Sequence, residues 1–138
     1  MNLTAHHAFA FDVDLMLAFD LAPVGLCLLR NRVIQRCNET YASMFGYEQD
    51  ELIGESMALL YPSEQEFVNL GARGLQTMLD CGRYSDERIM KHHNGQLFWC
   101  HASGRALDRD DPYGCSVWMF DDISYRRPIT TALTTRER

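Results

Sequence analysis

The alternation of apolar and polar positions divides the chain into a short block of strands, a run of helices and a longer block of strands. From Phe9 to Leu21 every odd position is apolar, which by period alone indicates a strand. The segment is also rich in Ala, Leu and Met, and Asp12 or Asp14 can cap a helix start, so a helix ending near Asp20 is expected. Ala22-Pro23 imposes extended backbone and closes it. Gly25 to Arg30 is a short apolar run, Asn31-Arg32 a turn and Val33 to Cys37 a second strand, together a hairpin. Asn38 caps a helix through Phe45, with Tyr41, Met44 and Phe45 inward and Gly46 ending it. A helical turn around Glu48–Ile53 stops at Gly54, and one more spans Ser56 to Tyr61 before Pro62.

Ser63 followed by Glu66 has the capping-box spacing. Phe67, Leu70, Gly74, Leu75, Met78 and Leu79 then recur at helical intervals up to Cys81-Gly82. Gly71 and Gly74 each weaken this helix by about 1 kcal/mol relative to alanine, which points to close packing against the sheet or to local give. Arg83 to Ile123 reads as three strands. Asn94-Gly95 marks the first reversal, and the turn-forming run Asp108 to Gly114 marks the second. Helices inserted between two groups of strands predict an antiparallel α+β domain.

The strand from Gln96 to Leu107 is lopsided. One face carries Leu97, Trp99, His101, Ser103, Arg105 and Leu107; the other carries Phe98, Cys100, Ala102, Gly104 and Ala106. If the second face points inward, its side chains are too small to fill the space above them. An empty space costs ~24 cal/mol per Å³, so either a ligand or neighbouring aromatics (Trp118, Phe120, Phe98, Phe67) must occupy it.

The 138 residues suit one domain with a real core, and the net charge of −6 argues against direct binding to nucleic acid or an anionic membrane. No apolar run approaches a membrane span, and no signal peptide is evident. Five widely spaced cysteines (Cys27, Cys37, Cys81, Cys100, Cys115) form no C-x-x-C pair and indicate reduced thiols in a cytoplasmic protein. Cys100 and His101 are adjacent on a strand and so face opposite ways, which rules against a nucleophile–base pair. With no carboxylate pair or phosphate loop at the required spacing, an enzyme is not expected.

Ala22-Pro23-Val24-Gly25, Asn38-Glu39-Thr40-Tyr41, Phe45-Gly46-Tyr47, Glu51-Leu52-Ile53-Gly54, His93-Asn94-Gly95 with Trp99, and Asp121-Asp122-Ile123-Ser124 occur in an order and spacing that resemble the PAS sensor domains. The resemblance spans roughly residues 12 to 125. It implies a five-stranded antiparallel sheet whose inner face and inserted helices enclose a pocket, with a flanking helix before the sheet. It divides the chain into a leader and flanking helix (1–21), a sensor domain (22–125) and a linker (126–138). It also implies that Met90, Trp118 and Phe120 face inward. A strict two-residue turn at Asn94-Gly95 would instead set Ile89 opposite Cys100, whereas a loop with an odd number of residues is needed for Met90.

The candidate ligand lining is Met57, Tyr61, Met90, Cys100, Ala102, Trp118 and Phe120, for an unidentified small organic molecule. Arg88 could pair with an acidic ligand if it faced in, though a strand arginine is ordinarily solvated. Met57 stands where the related light sensors carry a flavin-bonding cysteine, and a thioether cannot form that adduct. The long inserted helix has no histidine for haem, and His92 and His93 are expected to be solvated at a hairpin tip, so neither flavin, haem nor another metal is expected. The apolar outer face (Leu97, Trp99, Val117, Met119), with Leu15 and Phe19 of the flanking helix, is the candidate homodimer interface. Pro128 interrupts any continuous coiled-coil exit. Leu133-Thr134-Thr135-Arg136-Glu137-Arg138 resembles the opening of a LuxR-type helix-turn-helix domain, so DNA would be reached only through an output domain past Arg138. The leading expectation is a ligand-binding sensor module of a transcription regulator. The alternatives are a ligand-free dimerisation or relay module, and the input domain of a histidine kinase.

Overall fold

A computed structural model describes residues 13–129. Helix α1 covers 13–21; the segment before it and the motif from Leu133 to Arg138 lie outside the described residues. Five strands, β1 (Gly25–Arg30), β2 (Val33–Cys37), β3 (Arg83–Lys91), β4 (Leu97–Ala106) and β5 (Ser116–Asp122), form one sheet in the order β2-β1-β5-β4-β3. Every pairing is antiparallel, and the first and last strands meet at its centre. Helices α2 (Glu39–Phe45) and α3 (Gln49–Leu52), a 3-10 turn (Met57–Leu60) and the long helix α4 (Glu64–Cys81) connect β2 to β3. Their buried side chains and those of the inner sheet face make one core.

Local chemistry explains the boundaries. Asn38, fully buried, accepts from the Tyr41 and Leu26 amides and donates to the carbonyls of Phe19 and Val24. One side chain thus caps α2 and ties α1 and β1 to it. Gly46 and Gly82 end α2 and α4 in the left-handed conformation, at φ 83° and 78°. The Ser63 hydroxyl accepts from the Glu66 amide, while the reciprocal two-bond box is found instead at Glu48–Glu51. Along α4 the buried positions are Leu70, Gly71, Gly74 and Met78. Leu79, expected inward, is 42% exposed, because at 3.6 residues per turn it lies well around the helix from the stripe of Leu70, Gly71, Gly74 and Met78.

The hairpin register is resolved by a longer loop. Lys91 pairs with Leu97 across five residues, and the His92 amide bonds the Gln96 carbonyl. Met90 therefore lies opposite Phe98, and Arg88, not Ile89, opposite Cys100. Gly95 alone of the Asn-Gly pair has positive φ, so this is not the two-residue turn that needs it at both. The two-residue turn with positive φ at both centres is Asn31-Arg32, between β1 and β2.

On the inner face Ala102 and Gly104 of β4 each stand between a large residue of β5 and a polar one of β3. One rung reads Gly25, Phe120, Ala102, Asp86; the next reads Cys27, Trp118, Gly104, Tyr84. On the outer face Trp99 is only 7% exposed, because Arg127 from the turn after β5 lies 3.3 Å above its ring. Arg126 and Arg127 both pair with Glu87 at 2.8 Å.

Candidate ligand site

The space above the small residues of β4 is largely filled by aromatics. A Cβ on Gly104 would come within 2.5 Å of the Trp118 indole, so the ring rests directly on the glycine backbone. Trp118 is held there by its own N–H, which donates to Ser116 Oγ at 2.9 Å. Phe120, fully buried, makes edge contacts with Tyr41 at 5.5 Å and Phe45 at 6.1 Å between centroids.

What remains is a void of about 10 Å³ displaced toward α4, roughly the space of one water. Leu29, Met57, Leu70 and Phe120 supply its apolar walls. Arg32, Tyr61, Arg88, Tyr113 and Trp118 supply groups that combine a ring or stem with a polar or π surface. Of the seven lining residues expected from sequence, Met57, Tyr61, Trp118 and Phe120 border this space. Met90, Cys100 and Ala102 are fully buried in the core beside it.

Arg88 is the main correction to the reading from sequence: it is not solvated but 5% exposed and directed inward. The register imposed by the longer hairpin loop is the reason. Its Nε and Nη2 donate to the two Asp86 carboxylate oxygens at 2.8 and 3.1 Å, and Nη1 donates to Tyr61 Oη at 2.7 Å. Burial alone would lower its pKa, but Tyr61 and Asp86 beside it outweigh this, so the group lies above its ordinary value and stays charged. Tyr84 also donates to Asp86, at 2.7 Å. Burial and that bond raise the phenol to about 12, so it stays neutral.

Arg32 was legible only as a turn residue. Its φ of 63° is an uncommon conformation for a side chain of this size and costs on the order of 1–3 kcal/mol. From there the guanidinium reaches beneath α4. Nη1 donates to the Phe67 carbonyl at 2.8 Å and Nη2 to Tyr61 Oη at 3.3 Å, with the charge 3.7 Å from the Phe67 ring centre. A Cβ on Gly71 would occupy the same place as Arg32 Nη1, and one on Gly74 would come within 2.7 Å of the Tyr113 hydroxyl. The glycines in α4 were the available signal: they leave room for two polar side chains rather than for the sheet.

Burial also raises the Cys100 thiol to about 12, so it is a packed, protonated group. His92 packs against Gly46 and is half-buried, and the His93 ring lies 4.3 Å from that of Tyr47. Among the described residues no three His, Cys, Asp or Glu side chains converge as a metal site. None of the described helices is long and apolar enough to cross a membrane.

This sheet order, with inserted helices over its inner face and a core pocket region between them, is the architecture of PAS domains. The PAS-domain family model matches residues 23–124, and the chain belongs to that family. It is 35% identical over 106 residues to the sensor protein TdiS of Thauera aromatica, covering 77% of this chain and 19% of that protein; the chain thus spans about a fifth of that relative's length. Among solved structures it resembles the PAS domain, in complex with ethanol, of a LuxR-family transcriptional regulator from Burkholderia thailandensis. That match has a TM-score of 0.78 and 50% identity, over 79% of this chain and 96% of the other. A domain of a sensory box histidine kinase/response regulator from Geobacter sulfurreducens shares the fold at 19% identity and a TM-score of 0.65, covering 83% and 96% of the two chains.

Proposed function

We propose that the chain is the sensory module of a longer signalling protein, and that it binds a small organic molecule at the corner between β3, the 3-10 turn and α4. One observation carries this reading: Arg88 is held inside the domain at 5% exposure, against the small void beneath α4. A buried guanidinium is costly to desolvate, and interior packing alone is better served by apolar residues of its size. The ethanol named with the Burkholderia thailandensis structure supports a guest of this small scale. The output is a transcription-regulatory domain past Arg138, in keeping with the LuxR-type relative. Two copies pair through the outer face, where Val117 and Met119 are 41% and 38% exposed and Leu15 of α1 is 51% exposed. Trp99 is not available to that interface, since Arg127 covers it.

The filled space over Gly104 favours a second reading, a ligand-free module for pairing and relay. Indole emission separates the two. The chain has two tryptophans, and Trp99→Phe leaves Trp118 at the void as sole reporter. A saturable change in emission on titration with ethanol and propanol supports a binding site. A purely linear solvent drift, with the chain still dimeric by sedimentation, supports the relay.

A further inference from the structure

The hydrogen-bonding groups at this corner are out of balance in one direction. Arg88 has five N–H donors; three are used, two on Asp86 and one on Tyr61. Tyr61 Oη accepts from both Arg88 and Arg32, which fills its acceptor sites, and among the described residues its own O–H has no acceptor. Arg32 adds a second cation. The ion pairs among the described residues are Arg88 with Asp86 and Arg126 and Arg127 with Glu87, so Arg32 has no carboxylate of its own. Two positive charges therefore face one negative charge, and the surplus groups are all donors. A neutral acceptor could use the donors, but it would not bring the negative charge that makes hydrogen bonds to guanidinium groups strong. Aimed at the same hydroxyl from two sides, the guanidinium carbons lie 5.6 and 5.8 Å from the Tyr61 ring centre. The left-handed backbone of Arg32 and the missing side chain at Gly71 both serve to bring the second charge here.

From this geometry we infer that the ligand is a small monocarboxylate, its two oxygens taken by Arg32, Arg88 and the Tyr61 hydroxyl and its short apolar body lying against Met57, Leu70 and Phe120. This rests on the sensory reading above and names the chemistry of that site. One negative charge balances the cluster, and two carboxylate oxygens supply the missing acceptors. A void of about 10 Å³ is too small for the guest, so binding displaces the bond from Arg32 to the Phe67 carbonyl and moves α4 away from the sheet. The helix is suited to this, since Arg32 and Tyr113 bond to the carbonyls of Phe67 and Gly71 along its length.

The test compares isosteric probes at constant ionic strength: acetate and propionate against acetamide and propionamide, read by Trp118 emission in Trp99→Phe and by thermal shift in the unaltered chain. The expected result is saturable binding of the acids, at least tenfold tighter than of the amides. Arg32→Gln should abolish the preference, bringing acids and amides to the same level. Equal binding of acids and amides would overturn the carboxylate assignment while leaving a small-molecule site intact. Binding of the alcohols alone would do the same. No saturable response to any of these probes would overturn both. The comparison in the unaltered chain decides the matter even if Arg32→Gln fails to fold.

Discussion

The two halves of the inner sheet face are built on different physics. Over β4 and β5 the space is apolar and filled: Trp118 rests on Gly104, and Phe120 is locked among Tyr41 and Phe45. Over β3, beneath α4, the same core is held by guanidinium, carboxylate and phenol groups. Apolar contact is non-directional and is lost outright when separated, so the first half resists opening. Hydrogen bonds can be handed to a guest that offers equivalent acceptors, so the second half can open at small net cost. On the proposed reading a guest would enter at the polar corner, with the aromatic half as the fixed wall against which α4 would move.

The largest effects should come from the aromatic half. Phe120→Ala is expected to lower stability by about 3–5 kcal/mol in urea denaturation, the range for deleting a buried phenyl ring. A loss under 1 kcal/mol would mean that the aromatic wall is loose and that the contrast fails. The polar corner should behave differently under paired substitution. Asp86→Ala strands Arg88 and is expected to cost about 3 kcal/mol, whereas Asp86→Leu with Arg88→Met should come near the original stability, because replacing a buried pair by apolar groups is often neutral. The double variant should still lose its response to small acids.

Gly71→Ala sharpens the comparison further. The new methyl displaces the Arg32 guanidinium, while helix propensity improves by about 1 kcal/mol. Stability is expected to stay within about 1 kcal/mol, and binding of acetate should fall roughly tenfold, the change for a lost contact worth about 1.4 kcal/mol. The smallest effect concerns the outer face. The bonds from Arg126 and Arg127 hold the Glu87 carboxyl below its ordinary value of 4.5. A carboxylate lowered in this way stabilises the docked turn above its ordinary value, and the contribution is lost as pH falls through the lower, folded value. Emission of Trp99 in a Trp118→Phe variant should thus be constant from pH 7 to about 5 and change below 4.5. Glu87→Gln should remove that step.

Much of the framework was legible because it is written locally. Asn38, Ser63, Gly46 and Gly82 each end or start the adjacent helix as their chemistry demands, although the further bonds of Asn38 to α1 and β1 are long-range. The small-residue face of β4 was equally plain, and both of its possible fillings were foreseeable. The site was harder because it depends on register. Asn94-Gly95 suggests a two-residue turn, but the five-residue loop that forms shifts the partner of Cys100 by one position and so brings Arg88 inside. A one-residue slip exchanges the two faces of a strand, and nothing in the local pattern Glu87-Arg88-Ile89 distinguishes them. Arg32 was hidden for a different reason: a turn arginine points to solvent by default, and only the gap at Gly71, thirty-odd positions away, makes room for it.

The most direct test of the central claim is a crystal structure of the chain grown with propionate. The account predicts carboxylate density between the Arg32 and Arg88 guanidinium groups and within hydrogen-bond reach of Tyr61 Oη, with Trp118 still lying on Gly104. Density above Gly104 and Ala102 with the indole swung away, or a corner closed as before, would contradict it.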